Sequence, residues 1–305
     1  MKNVTFVLRA FLIAAFLLIA HNASARAASP ANPSSVDFDG DGVTDYAVFR
    51  PSTGTWYMDR SSGGAYTYIQ FGMATDKLTP ADYDGDGKTD VAVFRESNGY
   101  WYLQRSSAGF ASVQFGQAGD IPVPGDYTGD GKAEIAVYRP SGGMWYTLDL
   151  TNNQFKAQQW GDLNDKPILG DFDGDRKTDY AVFRPENGTW YLLQSTAGFK
   201  AQKWGESTDK IVAADYDGDD KTDIAIWRPS IFTWYLLKSR DGFVTVRQGG
   251  PTDHPIPADF YGDGIALPGV YRAETGNWYV GGRAYANPFQ FGQAGDRAIA
   301  NSFVR

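Results

Sequence analysis

The chain has no cysteine, and its only histidines are His21 and His254. Disulfide staples, Cys-His catalysis and soft-metal sites built from thiolates and imidazoles are therefore excluded. Positive charge is in deficit: 28 Lys and Arg face 36 Asp and Glu, for a formal charge of −8 over 305 residues. An acidic chain without a basic patch does not bind nucleic acid. No segment shows an apolar face at helical spacing with helix caps. One apolar run stands out, Ala10–Ala20, preceded by Lys2 and Arg9 and followed by Ala23-Ser24-Ala25. It is too short for a membrane span and reads as a secretory signal peptide over residues 1–25, with cleavage after Ala27 or Ala28 as rivals and a retained anchor as the alternative. Residues 26–35 form a short linker, and export places the chain outside the cell, at the cell surface or in the periplasm. No other run is long enough for membrane insertion.

What is abundant is glycine, proline and aromatic residues, 35, 15 and 15% respectively for the two counts and the aromatic share. That mixture favours many short strands. Asp-rich loops begin at Asp37, Asp82, Asp126, Asp171, Asp215 and Asp259, at spacings of 44 or 45 residues. After each loop come an apolar strand, a Gly-containing turn with Trp-Tyr, a third strand ending in an aromatic-Gly pair, and a short segment leading to the next loop. Tyr180-Ala181-Val182-Phe183 is apolar at consecutive positions, as in a strand buried on both faces. Four short strands per ~45 residues is the size of a propeller blade. The first unit, beginning at Val36-Asp37, lacks its leading strand, whereas the last runs on through Asp296 into Ala298-Ile299-Ala300-Asn301-Ser302-Phe303. The expectation is an all-β, six-bladed β-propeller over residues 36–305, closed by the C-terminal strand completing the first blade. With its edges closed, the chain is expected to be a monomer.

The loops follow Asp37-x-Asp39-Gly40-Asp41-Gly42-x-x-Asp45, with carboxylates at positions 1, 3, 5 and 9. Hard Ca²⁺ takes six to eight oxygens in a flexible shell, and this spacing wraps carboxylates around one ion. The other complete copies are Asp82, Asp84, Asp86, Asp90; Asp171, Asp173, Asp175, Asp179; and Asp215, Asp217, Asp219, Asp223. The third has Asp126, Thr128, Asp130 and Glu134 and is a weaker fifth site. The sixth keeps only Asp259 and Asp263, with Tyr261 and Leu267 elsewhere, and is expected to be empty. The loop matches the first half of an EF-hand but lacks its Glu at position 12, where Val48 and Val93 stand.

These loops, with Phe71-Gly72 and Phe115-Gly116 before two of them and Trp160-Gly161, Trp204-Gly205 and Gly249-Gly250 as variants, resemble the FG-GAP/VCBS repeats, whose blades are like those of the integrin α-subunit propeller. The resemblance spans about residues 36 to 305. It implies a calcium-bound propeller with ions in the loop between the first two strands of each blade, and it leaves activity open.

Trp-Tyr recurs six times, from Trp56-Tyr57 to Trp278-Tyr279. Adjacent strand residues point to opposite faces, so one ring should pack toward each neighbouring blade; sugar platforms are the functional alternative. Arg50, Arg95, Arg139, Arg184, Arg228 and Arg272 recur in step with Asp76, Asp120, Asp165, Asp209, Asp253 and Asp296. Salt bridges are the plain account of them, and a binding ring for an acidic polymer the sharper one. The function these features suggest is a non-catalytic interaction or adhesion module for an extracellular protein or glycan. A lectin with aromatic sites between blades and a polysaccharide-active enzyme are the alternatives.

Overall fold

The computed structural model describes residues 36–281 and 288–299. The expected signal peptide and linker, residues 1–35, and the segment from Ala300 through Ser302 and Phe303 lie outside the described residues. Six four-stranded antiparallel sheets form a ring. The fourth is typical: Lys166–Ile168, Tyr180–Arg184, Thr189–Gln194 and Gly198–Lys203, in that order from first to fourth strand. The only helical element among the described residues is a 3-10 turn, Pro140–Gly142.

Burial follows the sequence pattern. Ala181, Val182 and Phe183 in the second strand are all fully buried, because both faces meet another blade. The third strand alternates, with Trp190 and Leu192 inside. The core therefore lies between blades. Phe183, Trp190 and Leu192 pack on Ile224 and Ile226 of the next blade. The last such layer joins Val48 of the first blade to Ile256, Tyr271 and Trp278 of the sixth.

The ring closes as the offset of the chain ends predicts. Arg297–Ile299 pairs antiparallel with Tyr46–Arg50, Ala47 opposite Ile299 and Phe49 opposite Arg297. That strand supplies the first blade's missing innermost member and leaves no open inner edge there.

The two rings of each Trp-Tyr pair divide as expected: Trp190 faces the following blade and Tyr191 the preceding one. Each repeated Trp is fully buried, so none can be a sugar platform. Their indole N–H groups donate to the carbonyl of the aromatic-Gly pair, as Trp101 does to Phe115 at 2.8 Å. In the fifth blade Trp234 donates to Gln248 at 3.1 Å, so the pair there is Gln248-Gly249 rather than Gly249-Gly250. The glycine of the pair is required. Gly116 has φ +118°, and an added Cβ would sit 3.2 Å from Phe94 and Val137.

Candidate metal centres

Each Asp-rich loop leads into the second strand of its blade, and in the second to sixth blades it joins the first strand to the second. Its first carboxylate shapes the turn. Asp171 Oδ1 accepts the Gly174 N–H at 2.6 Å and its Oδ2 accepts the Arg176 N–H at 2.6 Å. Asp37, Asp82, Asp126, Asp215 and Asp259 repeat the pattern, each holding the N–H groups three and five residues on.

Position 9 forms the floor. Asp179 is fully buried, with its oxygens accepting the N–H groups of Phe172 at 2.8 Å and Ser195 at 2.7 Å. Asp45, Asp90 and Asp223 are held the same way, by Phe38 and Ser61, Tyr83 and Ser106, and Tyr216 and Ser239. Burial, reinforced by the neighbouring carboxylates, pushes Asp45 up to about 6 and Asp90, Asp179 and Asp223 to about 7.

The loop alone does not build the site. The hairpin between the third and fourth strands folds over it. Ser61, Ser106, Ser195 and Ser239 donate their hydroxyls to Asp41, Asp86, Asp175 and Asp219 at position 5. The next backbone N–H groups clamp position 3: those of Thr196 and Ala197 reach Asp173 Oδ2 at 3.0 and 2.7 Å, and those of Arg240 and Asp241 reach Asp217 Oδ2 at 3.0 Å each. Asp84 is clamped by Ser107 and Ala108, and Asp39 by the Ser62 hydroxyl. These serines lie sixteen residues beyond position 9, and serine is common in turns, so the sequence alone does not single them out.

With Oδ2 so held, the Oδ1 atoms of Asp39, Asp84, Asp173 and Asp217 are buried and have no hydrogen-bond partner among the described residues. A buried acceptor without a donor costs about 1–3 kcal/mol. Five groups of carboxylates place ligand atoms within 4.8 Å of one another: Asp37, Asp39, Asp41; Asp82, Asp84, Asp86; Asp126, Asp130, Glu134; Asp171, Asp173, Asp179; and Asp215, Asp217, Asp223. Each could hold a metal ion, and the donor set is oxygen throughout, which suits a hard cation.

The third loop differs as its sequence suggests. The Thr128 hydroxyl stands where the orphan oxygen stands elsewhere, 3.2 Å from Glu134 Oε1 and 3.4 Å from Asp126 Oδ1. Leu150 occupies the place of the clamping serine. Burial pushes Glu134 up to about 7. In the sixth loop Tyr261 and Leu267 replace carboxylates, leaving Asp259 and Asp263.

The FG-GAP-like repeat model matches residues 37–93, 82–137 and 171–226. Together these segments cover just over half of the sequence. The chain belongs to the FG-GAP-like repeat family. Its FG-GAP loops are thus the Asp-rich turns described above, and the repeat extends structurally to all six blades. No curated protein matches the chain by sequence. Among solved structures, it is similar to an Agrocybe aegerita lectin that recognises non-reducing terminal N-acetylglucosamine, at 15% identity over 89% of this chain and 93% of that one, with a TM-score of 0.52. It is also similar to a streptogramin B lyase, at 8% identity over 88% and 86% of the two chains and a TM-score of 0.54. Virginiamycin B lyase from Staphylococcus aureus aligns at 7% identity over 85% and 87%, with a TM-score of 0.50. At these identities the likeness is one of fold alone.

The recurring arginines of this FG-GAP propeller are engaged. Each guanidinium makes a bidentate bridge to a buried Asp, as Arg184 does to Asp165 at 2.8 Å twice, and lies over the Tyr of its own blade, 4.7 Å from the Tyr191 ring centre. Arg95, Arg139, Arg228 and Arg272 repeat this with Asp76, Asp120, Asp209 and Asp253, and Arg50 with Asp296. The plain salt-bridge account holds.

Proposed function

We propose that this chain is an exported, non-catalytic binding module whose FG-GAP loops hold calcium. The observation that carries the calcium reading is the set of four orphan Oδ1 atoms, which recur only in the loops with all four carboxylates. Asp37, Asp82, Asp171 and Asp215 at position 1, Asp41, Asp86, Asp175 and Asp219 at position 5, and the floor carboxylates complete each shell. Asp126, Asp130 and Glu134 with Thr128 make a weaker fifth site. Sites of modest affinity fill at the roughly millimolar calcium found outside cells, in keeping with export by residues 1–25.

Removing the ion should invert the pH response. The floor carboxyls of Asp90, Asp179 and Asp223, about 7 in the ion-free fold against an ordinary 3.8, bind protons more tightly folded than unfolded, as does Asp45 at about 6. Ionised, they destabilise the fold, fully above pH ~7 and not at all below pH ~4. In chelator, the melting temperature should therefore rise as pH falls from about 7 toward 5. With calcium present it should fall over the same window, because protons displace the ion. Parallel trends in the two melts would count against the assignment.

Aromatic shelves in the grooves between blades favour a glycan as ligand. Phe199 on a fourth strand is 65% exposed and stands edge-on to Trp160 of the preceding blade, with ring centres 5.7 Å apart. Phe243 with Trp204, Phe155 with Phe115, Phe110 with Phe71, and Tyr66 with Phe291 repeat the arrangement. Beneath the last of these lies a cavity of about 180 Å³ lined by Val48, Arg50, Tyr57, Tyr66 and Phe291. An exposed ring beside a polar Arg–Tyr floor suits a sugar, whose C–H face stacks while its hydroxyls find donors. A glycan screen with calcium present tests this. Phe199→Ala and Phe243→Ala should weaken binding by about tenfold, since losing an aromatic contact of ~1.4 kcal/mol is a factor of ten. Because both side chains are solvent-exposed, the melt should not change. Undiminished binding in both variants, and in Tyr66→Ala at the cavity, would count against the grooves.

A further inference from the structure

The six FG-GAP loops touch one another. The backbone N–H at position 8 of each loop donates to the position 1 carbonyl of the loop before it. Thr89 reaches Asp37 at 2.6 Å, Ala133 reaches Asp82 at 2.7 Å, and Thr178 reaches Asp126 at 2.6 Å. Thr222 reaches Asp171 and Ala266 reaches Asp215, both at 2.6 Å, and Thr44 reaches Asp259 at 2.7 Å. The last bond closes a continuous annulus of loops.

Two of these links are doubled. The Asp37 N–H donates to the Thr89 hydroxyl at 2.9 Å, and that of Asp171 to the Thr222 hydroxyl at 3.1 Å. Side chains interlock as well. A Cβ on Gly85, at position 4 of the second loop, would lie 2.8 Å from the Lys132 side chain of the third loop; Gly129 faces Lys177 and Gly262 faces Val43 in the same way. The position 4 glycine is thus the seat for the next loop's position 7 residue.

The geometry points to a cooperative annulus, in which filling one calcium site raises the affinity of its neighbours. This rests on the calcium reading above. The residues that would hold the ion, at positions 1 and 9, directly carry or flank the atoms that link to the adjacent loops. An ion that fixes Asp82 fixes its carbonyl for Ala133, and one that fixes Asp90 fixes the preceding Thr89 N–H for Asp37. Part of the ordering cost at the next site is then already met.

The sixth loop supports the same conclusion. It has lost positions 3 and 9, which serve an ion, yet keeps Asp259, whose carboxylate holds the N–H groups of Gly262 at 2.7 Å and Gly264 at 2.8 Å. What remains is the turn that presents its carbonyl to Thr44. We assign it the role of an ion-free link that passes the coupling from the fifth loop, at Asp215, to the first, at Asp37.

Calorimetric calcium titration of the whole chain tests this, at about 0.15 M salt so that the long-range field between loops is screened. Wild-type uptake of four to five ions should be sigmoidal, with a Hill coefficient of about 2. Asp259→Ala touches no proposed ligand; it should leave the number of ions unchanged and lower the coefficient to about 1.5, because the path through the sixth loop is lost while the bonds joining the first five loops remain. Thr89→Val, which keeps side-chain shape and loses only the second bond of one doubled link, should lower the coefficient by less. Four or five ions bound with a coefficient of 1, or with coefficients identical in all three proteins, would overturn the coupling alone. A chain that takes up no calcium overturns the calcium reading and the coupling with it.

Discussion

Excess chelator is expected to lower the midpoint of thermal unfolding by about 10 °C. For sites with a dissociation constant of ~0.1 mM in ~1 mM calcium, each ion adds about 1.4 kcal/mol to the folded state. Four ions add about 6 kcal/mol, and a domain of this size moves by roughly 2 °C per kcal/mol. The structure says where the loss is felt. The ion-free loops leave the Asp39, Asp84, Asp173 and Asp217 Oδ1 atoms without a partner, beside two or three other carboxylates in each loop. Because loops and hairpins are joined by bonds such as Ser195 to Asp179, loosening a loop also loosens the hairpin over it. A scan in calcium, in chelator, and in chelator followed by excess calcium separates a specific effect from damage by the chelator. Superimposable melts in the first two conditions would remove calcium from the account of this fold.

Substitutions should rank by what the orphan oxygen implies. Asp217→Asn removes a ligand charge while keeping shape, and its effect should vanish in chelator. The third loop is the internal contrast. Thr128 already supplies a hydroxyl between Asp126 and Glu134, so Thr128→Asp should recreate a fourth carboxylate and tighten that site. A chain with five strong sites would then show a larger calcium-dependent shift than the natural one.

The loops were legible because Asp recurs at positions 1, 3, 5 and 9 with one fixed spacing in four copies, a regularity that a simple turn does not need. Blade number and closure were legible because Ala298-Ile299 matches a strand that the N-terminal unit lacks. The Arg–Asp bridges could be read as recurring partners. Three features could not. The serine clamp depends on a hairpin swinging back over a loop, a tertiary event. The Phe110, Phe155, Phe199 and Phe243 shelf sits on outer strands, where only the pairing register tells which side is exposed. The annulus is made of backbone groups, which every residue carries. Register also misled at Gly249-Gly250: Gly250 offers the more familiar doublet, but the buried Trp234 indole selects the Gln248 carbonyl and so fixes Gln248-Gly249 as the pair.

The second large effect concerns the seam of the ring. Arg50 and Asp296 make the same bidentate bridge as the other five pairs, with Nε to Oδ1 at 2.9 Å and Nη2 to Oδ2 at 2.8 Å, but they are 246 residues apart where the others are 19. Asp296 is almost wholly buried, and without Arg50 its charge keeps, among the described residues, the Gln293 N–H at 3.0 Å. Arg50→Ala should therefore cost about 3–5 kcal/mol. Asp296→Ala should cost less, because Arg50 is partly exposed and still rests 4.3 Å from the Tyr57 ring centre. Arg184→Ala, with identical chemistry inside one blade, should cost about the same as Arg50→Ala at equilibrium. The two should part in hydrogen exchange. Only the seam variant should speed exchange in both Tyr46–Arg50 and Arg297–Ile299, since loss of the bridge lets the closing strand leave and exposes the first blade's inner edge. Equal exchange in those strands for the two variants would mean that blade packing through Val48, Tyr271 and Trp278 holds the seam without the bridge. A chain ending at Gly295, which removes Asp296 and the closing strand together, should then still fold as a ring; with the bridge and strand as the latch, it should instead open and associate through the freed edge.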